Sequence, residues 1–587
     1  MNDRVEALRA ELSKRGVDGF IIPRNDEHFG EWVPASAERL AWLTGFTGSA
    51  GMAIVLHDRA SIYIDGRYTL QVRDQVDTGI FETRHVSDEP ATAWLREALS
   101  KGQKLAFDPW LHTEAGLKRL GAAAGAAGAE LYALDSNPVD AIWEDRPAPP
   151  TEPVVPHDVK FAGVPHDRKR AEIAESLRDQ GHDAAVLTLP ESIAWLLNIR
   201  GSDVPRTPLP LSFAILHADA TVDLYIAPAK LSSETRTHLG PDVSLHAPED
   251  FLEGLDGLTG KAVLVDGATA VAAVTQRLKT ADARLTMGTD PTALPKARKN
   301  ATEISGTRAA HIRDGVAVTK FLAWVDAHEP GTLDEISAAD RLEQFRREDN
   351  LMRDLSFDTI SGSGPNGAIV HYRVTPDTNR TLGDGELFLV DSGGQYLDGT
   401  TDITRTIAIG EPSAEMKDRF TRVLKGHIAL ARARFPKGTS GSQLDTLARL
   451  PLWEAGIDFD HGTGHGVGSY LSVHEGPQRI SKLPSNVALE PGMIVSNEPG
   501  YYKTGAYGIR IENLVTVTEV ETPDGERPTL GFETLTQAPI DLRLVDLSLM
   551  DETERDWLNS YHAGVREKLA PLAGDAATWL EDATRPV

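Results

Sequence analysis

Apolar residues in the first half of the chain fall into two series that match in order. Each series begins with apolar positions at helical spacing, passes through a glycine-containing turn, and reaches a short apolar run that predicts a buried strand. Three further segments recur in the same order. Such ordered matches predict a duplicated α/β domain. The matching residues are 4–15 and 170–180, 19–22 and 184–187, 41–43 and 194–196, 48–49 and 201–202, and 53–57 and 214–217.

Two segments divide the chain, one between these copies and one after them. Residues 146–156 read RPAPPTEPVVP, and this density of proline predicts a linker because proline stiffens the backbone and removes hydrogen-bond donors. A second boundary is predicted near residues 295–300. The predicted domains are residues 1–145, 146–297 and 298–587.

The third predicted domain alternates helix and strand patterns. A long helix is predicted over residues 303–327, a further helix begins at 332–336, and residues 368–372 form a short predicted strand that ends in histidine and tyrosine. Residues 386–391 and 402–409 flank a glycine-containing turn region, as two antiparallel strands would. This pairing would bring the acidic residues of both segments to one face of the sheet.

The composition narrows the possible partners. The chain of 587 residues has 87 acidic and 60 basic residues and a formal net charge of −27, with no local basic patch. Binding to nucleic acid or to an anionic membrane is therefore not expected. Cysteine is absent, which excludes disulfides and thiolate ligands. The sequence begins with a charged helix pattern and shows no export signal, so a cytoplasmic location is expected.

The candidate chemistry centres on a glycine-rich stretch at residues 461–468, HGTGHGVG, and on four carboxylates outside it. A carboxylate that ends a buried strand carries an unpaired charge, which costs several kcal/mol unless a cation is present. Four carboxylates with one neutral imidazole carry about −4, and two divalent ions with a bridging hydroxide carry about +3. We therefore predict one site for two divalent metal ions, formed by Asp391, Asp402, Glu498, Glu512 and one histidine of the glycine-rich stretch.

The two histidines of the stretch, His461 and His465, are four residues apart, as in the helical zinc signature HExxH. Alternating glycines oppose a helix, so a loop or irregular strand is predicted, with one histidine on the metal and the other facing a substrate. A phosphate cradle is the alternative, but no GK(S/T) sequence supports it. Arg510 and Glu512, two apart on a predicted strand, would share a face, so the arginine could orient the glutamate or a neighbouring carboxylate.

The ligand candidates resemble, in order and spacing, the dinuclear centre of the pita-bread metallopeptidases, and the resemblance implies that the histidine ligand is His465. Within that family, HGTGHGVGSYLSVHEGP at residues 461–477 is similar to the X-prolyl aminopeptidases, also called aminopeptidase P. Residues 65–68, 193–203 and 535–561 resemble the three-domain form of these enzymes. The resemblance covers nearly the whole chain. It implies an α/β (α+β) architecture, with two creatinase-like N-terminal α/β domains followed by a C-terminal pita-bread catalytic domain.

The resemblance also implies how the ligands divide between the two ions. Asp391 would chelate one ion, and Asp402 and Glu512 would bridge both. His465 and Glu498 would complete the coordination of the other ion. Oxygen-rich ligation favours manganese, with zinc or cobalt as alternatives. The bridging hydroxide would attack the scissile carbonyl.

Three histidines outside the ligand set fall at motif positions of the family. A single histidine is more often structural, but three at motif positions favour function. The resemblance implies that His371, His461 and His474 bind the substrate. It also makes His371 and His474 catalytic, with Glu498 as general base. Arg510 would support a ligand without binding metal.

The activity implied by the resemblance is release of the N-terminal residue from peptides with proline in the second position. Proteins of this group are commonly homodimeric. Prolidase, which cleaves X-Pro dipeptides, is the alternative, although it usually carries one N-terminal domain rather than two. A non-catalytic pita-bread binding protein is a further alternative. All five ligand positions hold competent side chains, which disfavours it.

Overall fold

The computed structural model describes residues 2–523 and 525–587. The backbone divides into two compact units. The first contains the residues up to Val159 together with Val164–Ala293, and the second contains Lys160–Gly163 and Leu294–Val587. The domain limits after residues 145 and 297 stay predictions.

Among the described residues, the first unit contains two six-stranded sheets of identical topology. In each sheet the strands lie side by side in the order fourth, third, second, first, fifth and sixth along the chain. The first three strands are antiparallel neighbours, and the outer three join them in parallel. The predicted duplication of an α/β domain is confirmed. The strands are Gly19–Pro23, Met52–Leu56, Ala60–Ile64, Glu82–His85, Lys104–Phe107 and Glu130–Ala133, then Ala184–Leu187, Phe213–His217, Val222–Tyr225, Val243–His246, Ala262–Asp266 and Arg284–Gly288.

Helices cover both faces of the first sheet because alternate residues of a strand point to opposite sides. Phe20 and Ile22 share a core with the apolar side of Asn2–Arg15. Ile21, between them, shares a separate core with Ala91–Ala98. The other helices before residue 300 are Arg39–Thr44, Gln71–Gln75, Glu114–Ala126, Pro138–Ile142, Val159–Ala162, His166–Asp179, Pro190–Leu197, Ser233–Leu239, Phe251–Asp256, Ala272–Thr280 and Ala293–Ala297.

The second unit is built on antiparallel sheets. A three-stranded sheet has Glu386–Ser392 at its centre, paired with Ile360–Ser363 and Ile403–Ile409. The predicted antiparallel pairing of the two acidic segments is confirmed. A six-stranded sheet contains, in spatial order, Phe435–Pro436, Thr529–Thr534, Asn513–Val520, Ile494–Asn497, Gly464–Gly466 and Glu475–Ile480. The remaining strands are Met352–Leu355, Gly394–Tyr396, Gly399–Thr400, Gly500–Lys503 and Tyr507–Arg510.

Capping residues determine where two helices of this unit begin. Asn300 caps Ala301–Asp326 by accepting from the Glu303 backbone N–H, and the Glu303 carboxylate accepts from the Asn300 N–H in return. Asp334 caps Glu335–Arg346 in the same reciprocal way. Both predicted helices are confirmed. The other helices are Ala414–Ala431, Gly441–Trp453, Glu552–Leu569 and Ala577–Ala583. No helix in residues 2–523 and 525–587 has the length and hydropathy needed to span a bilayer.

Two local predictions are wrong. Residues 368–372 form no strand: a 3₁₀ helix occupies Gly364–Ala368, and a turn follows. The glycine- and proline-containing sequence before it, with Gly364 at φ +53°, favours this tight turn over an extended chain. Arg510 and Glu512 do not share one strand. Tyr507–Arg510 ends at the arginine, and Glu512 lies in a two-residue break before the next strand begins.

Candidate metal centre

Two aspartates reach the centre from neighbouring strands. Asp391 is the last residue but one of Glu386–Ser392 and lies opposite Thr404. Asp402 comes directly before Ile403–Ile409. Because the strands are antiparallel, the end of one meets the start of the other. Both aspartates are buried.

His465 lies in the middle of a three-residue strand that begins at Gly464 and ends at Gly466, so the glycine-rich stretch is an irregular strand, as predicted. Its glycine neighbours are required by close packing. A Cβ at Gly464 would lie 2.0 Å from the carbonyl oxygen of Ser496, and one at Gly466 would lie 2.4 Å from that of Glu475. Glycine therefore lets the histidine-bearing strand approach the chain on both sides.

The two glutamates come from the ends of adjacent strands of the six-stranded sheet. Glu498 directly follows Ile494–Asn497, and Glu512 directly precedes Asn513–Val520, with which that strand pairs antiparallel. The hydroxyl of Thr404 donates to Oε2 of Glu512 over 2.8 Å. The six-stranded sheet and the three-stranded sheet centred on Glu386–Ser392 therefore meet at these side chains.

The structure brings the five predicted ligands together. One ligand atom from each of Asp391, Asp402 and Glu512 lies within 4.8 Å of the others, and the same holds for His465, Glu498 and Glu512. Nε2 of His465 is 3.4 Å from Oδ2 of Asp402 and 3.6 Å from Oε1 of Glu498. Because Glu512 belongs to both groups, the five side chains form one cluster.

Two of the clustered acids, Glu512 and Asp391, have raised pKa values. Burial raises the pKa of Glu512 well above its ordinary value, and the charges of Asp402, Glu498 and Asp391 raise it further. Burial also raises the pKa of Asp391 to about 6, although the neighbouring Arg510 lowers it. Ionisation of these two acids is therefore unfavourable unless a cation compensates their charge.

The donor set fits divalent metal ions. Oδ1 of Asp391 is buried and accepts no hydrogen bond from the described residues, while Arg510 holds Oδ2. Burial lowers the pKa of His465, but the carboxylates of Asp402 and Glu498 outweigh burial and raise it to about 9. A proton thus resides on this imidazole where a metal ion would compete for it. Four carboxylates and one imidazole are ligands that manganese accepts readily.

A hydrogen-bonded chain leads from this cluster to His461. Arg510 donates from Nη2 to Asp391 and from Nη1 to the hydroxyl of Tyr502, each over 2.6 Å. The Tyr502 hydroxyl lies 2.8 Å from Nε2 of His461, whose Nδ1 is 4.0 Å from Oε2 of Glu498. The prediction from sequence did not include Tyr502. Alternation in the hairpin of Gly500–Lys503 and Tyr507–Arg510 places it on the face of Arg510, which is the signal that could have identified it.

The other two histidines occupy different places. His474 is half-buried, and its ring packs edge-on against that of His465, with centroids 4.3 Å apart. Its ligand atom groups with those of His465 and Asp402. His371 is half-buried in the turn after Gly364–Ala368, which packs against the strand that carries Arg510. His371 belongs to none of the ligand groups found among the described residues.

Comparison with known families agrees with the two units. Residues 305–519 match the metallopeptidase family M24, and residues 528–587 match the C-terminal region of peptidase M24. Residues 4–140 and 145–303 each match a creatinase/prolidase N-terminal domain.

Several relatives match the whole chain. "Aminopeptidase P2" of Arabidopsis thaliana is 41% identical, covering 100% of this chain and 89% of the relative. "Probable Xaa-Pro aminopeptidase P" of Talaromyces marneffei is 40% identical, covering 100% and 92%. The crystal structure of the X-prolyl aminopeptidase from Caenorhabditis elegans, described as a cytosolic enzyme with a di-nuclear active site, is 34% identical with a TM-score of 0.95 and covers 100% of this chain and 99% of its own. The Xaa-Pro dipeptidase from Bacillus anthracis is 26% identical with a TM-score of 0.52, and covers 64% of this chain and 99% of its own.

Fold, site and similarity together define a hydrolase with a pita-bread catalytic domain: the chain belongs to the metallopeptidase family M24. Within that family it is a member of the X-prolyl aminopeptidase group, whose relatives match it from end to end. The dipeptidase structure covers only about two thirds of the chain, which disfavours the prolidase alternative.

Proposed function

We propose that this protein removes the N-terminal residue from peptides that have proline in the second position. The observation that carries the proposal is the full-length similarity to X-prolyl aminopeptidases, combined with the convergence of five competent ligands beside His474. A prolyl peptide bond has no N–H and carries a bulky ring, so general aminopeptidases cleave it poorly. A dedicated site is therefore needed.

Two divalent ions would be held by the five clustered side chains. Asp391 would chelate one ion, Asp402 and Glu512 would lie between the two, and His465 with Glu498 would hold the other. When bound, the ions would acidify a water molecule and polarise the scissile carbonyl. Manganese is our proposal for the native metal because the donor set is rich in oxygen, with zinc or cobalt as substitutes.

The protein's own groups would hold the substrate and move the proton. Glu498 would accept the proton of the attacking water. Ser496 donates to Oε1 of Glu498 over 3.1 Å, which leaves Oε2 to accept this proton. His474 and His371 would stabilise the negative charge that develops on the carbonyl oxygen. His461, held by Tyr502, would contact the substrate. Arg510 would keep Asp391 in place for its ion.

The cellular setting is also a proposal. The Caenorhabditis elegans relative is described as a cytosolic enzyme, and we propose a cytoplasmic location for this protein. We also propose a homodimer, as the family resemblance implies. Light scattering after size-exclusion chromatography would give the mass in solution, for comparison with 63.6 kDa for one chain.

The deciding experiment compares hydrolysis of the tripeptide Arg-Pro-Pro with that of the dipeptide Gly-Pro. Each is assayed after chelation and again with added Mn²⁺, with the Asp402→Ala variant as the metal-site control. We expect Mn²⁺-dependent release of arginine from the tripeptide. Preference for the dipeptide would assign prolidase activity. Inactivity on both substrates in the manganese-loaded wild type would support a binding-only protein.

A further inference from the structure

Three buried charged residues form a cluster outside the metal ligands. Nζ of Lys296 lies 2.8 Å from Oε2 of Glu475, and Nζ of Lys299 lies 4.0 Å from the same oxygen. The side chain of Glu475 is 0% exposed, and those of the two lysines are 4% and 2% exposed. We name Lys296, Lys299 and Glu475 the lysine clamp. Neither lysine was a candidate from sequence.

The lysine clamp lies directly beside the candidate catalytic histidine, His474. Glu475 directly follows His474, whose ring packs on His465. The strand that carries His465 pairs irregularly with Glu475–Ile480, which begins directly after His474. His465 lies opposite Arg479, but its neighbour Gly466 lies opposite Glu475, so three residues bulge out between these pairs. An irregular pairing of this kind does not fix the position of His474 by backbone hydrogen bonds alone.

The glutamate of the clamp also packs directly on the glycine-rich strand. A Cβ at Gly468 would lie 2.6 Å from Oε1 of Glu475, and one at Gly466 would lie 2.4 Å from its carbonyl oxygen. Both positions therefore need glycine for Glu475 to reach the lysines. Glu475 therefore lies in direct contact with the glycine-rich stretch that carries His465.

The segment that leads to His474 is also held by a hydrogen bond at Leu471. Gln395 is buried and donates from Nε2 to the carbonyl oxygen of Leu471 over 2.8 Å, while Thr400 donates to Oε1 of Gln395 over 2.7 Å. His474 therefore lies between a neutral anchor at Leu471 and a charged anchor at Glu475. The charged anchor is the nearer of the two to the histidine.

If stability were the only requirement, burying the three charges of the lysine clamp would be unfavourable. Desolvation of buried ions offsets most of their attraction, and apolar side chains of similar size often stabilise a protein as well. Burial lowers the pKa of Lys299 to about 8, although Glu475 opposes that shift. The hydrogen bond from Lys296 to Glu475 also fixes direction, because a hydrogen-bonded pair of charges holds one geometry where apolar groups tolerate several.

We propose that Lys296, Lys299 and Glu475 are positioning residues, which hold His474 against His465 in the geometry required for peptide hydrolysis. The inference rests on the proposed function for the catalytic role of His474. None of the three residues contacts the reacting atoms. Their effect passes through the backbone between Glu475 and His474.

The test uses the full-length protein loaded with Mn²⁺ and two variants, Glu475→Asp and Lys296→Met. Aspartate keeps the charge but withdraws the carboxylate from the lysines by one methylene. Glu475→Asp therefore still tests the positioning role if Lys296→Met fails to fold. We expect kcat for Arg-Pro-Pro to fall by about 10-fold or more, while KM changes less than about threefold. The dissociation constant for Mn²⁺, from titration calorimetry, should stay within about threefold of wild type.

The matched control is Lys425→Met, which removes the partly buried ion pair with Glu554 elsewhere in the same unit. Each variant is assayed equally far below its own unfolding temperature. Wild-type kcat in Glu475→Asp, or an equal loss of kcat in Lys425→Met, would overturn the inference.

A crystal structure of Glu475→Asp adds a readout that is independent of activity. We expect the ring of His474 to move from its 4.3 Å separation from His465. An unmoved ring would overturn the inference. Failure of the wild type to cleave Arg-Pro-Pro would instead refute the proposed function, and the ring separation would still decide whether the clamp positions His474.

Discussion

Arg510 donates a hydrogen bond from Nη2 to Oδ2 of Asp391 over 2.6 Å, and this contact joins two strands that lie 119 residues apart in the chain. The arginine is buried, and its other terminal nitrogen is held by Tyr502. Burial disfavours the charged guanidinium, but Tyr502 and Asp391 outweigh it and raise the pKa of Arg510 above its ordinary value. The guanidinium thus stays charged and orients the carboxylate toward the cluster.

Replacing Arg510 by lysine should weaken metal binding. Lysine keeps the charge but cannot contact Asp391 and Tyr502 from one rigid plane. Loss of such a supporting contact typically costs about 10- to 100-fold in metal affinity. Titration calorimetry with Mn²⁺ measures this change. Arg308→Lys, at an exposed pair with Glu533, is the control and should bind Mn²⁺ as the wild type does; equal affinities in both variants would contradict the role of Arg510.

Replacing Glu512 by glutamine should abolish metal-dependent hydrolysis and stabilise the metal-free protein. Glutamine keeps the size of the side chain and can still accept from the Thr404 hydroxyl. It removes the buried carboxyl group of Glu512, whose pKa is raised by burial and by the neighbouring carboxylates. Thermal unfolding after chelation should therefore show a higher midpoint than wild type, and added Mn²⁺ should raise that midpoint less. Full turnover by this variant would refute the bridging role of Glu512.

The local sequence was sufficient to predict the duplicated N-terminal domains and the convergence of four carboxylates with the glycine-rich stretch. Two features made this possible: each acid follows or precedes a strongly apolar strand, and carboxylates of that kind need a cation. The family resemblance identified His465 as the histidine ligand. The glycine-rich stretch was also correctly predicted as irregular, because alternating glycine opposes a helix.

Features that depend on distant contacts were not predictable in the same way. Residues 368–372 are apolar enough to suggest a strand, but a tight turn precedes them and Gly367 packs against Gly508. Tyr502 acquires its role only when the hairpin places it beside Arg510 and His461. These contacts join segments far apart in sequence, which local patterns cannot specify.

Replacing His474 by alanine should lower kcat for Arg-Pro-Pro by about 10²-fold if the histidine stabilises developing charge. The ring packs on His465 but is not one of the five proposed metal ligands. Binding of Mn²⁺ should therefore change much less than kcat, and calorimetry separates the two effects. His85→Ala, at a partly exposed site in the first sheet, is the control. An unchanged kcat in His474→Ala would remove this residue from the mechanism.

The metal-free protein should lose stability as the pH rises. The pKa of Asp391 rises from 3.8 to about 6 on folding, so the folded state binds that proton more tightly, and this contribution is lost between about pH 4 and pH 6. The pKa of His465 rises from 6.5 to about 9, so its contribution is complete below pH 6.5 and is lost as the pH passes 9.

Metal binding should have the opposite dependence, because ligands bind metal in their deprotonated forms. The difference in unfolding temperature between Mn²⁺-loaded and chelated protein should therefore widen from pH 5 to pH 9. His465→Asn should flatten the part of the chelated curve above about pH 6.5. Parallel curves for loaded and chelated protein across this range would contradict the assignment of both groups to the metal centre.

Glu335 should be essential for the segment that carries His371. Its carboxylate is fully buried and accepts from the backbone N–H groups of Ser363 and Arg380 over 2.7 and 3.0 Å, and from the hydroxyl of Tyr372 over 3.0 Å. Replacement by alanine would leave both backbone donors buried without this acceptor. Each such loss costs about 1–3 kcal/mol, so the variant should be destabilised by roughly 3 kcal/mol.

Hydrogen exchange gives the measurement with local resolution. Glu335→Ala should speed exchange of residues 364–372 and 380, while amides in the strand Glu386–Ser392 keep more of their protection. The control, Glu343→Ala on the same helix, removes a surface pair with Arg347 and should change stability by less than about 0.5 kcal/mol. Because His371 lies in the loosened segment, kcat for Arg-Pro-Pro should fall in Glu335→Ala even well below its unfolding temperature. Unchanged exchange at residues 364–372 would show that Glu335 does not hold this turn.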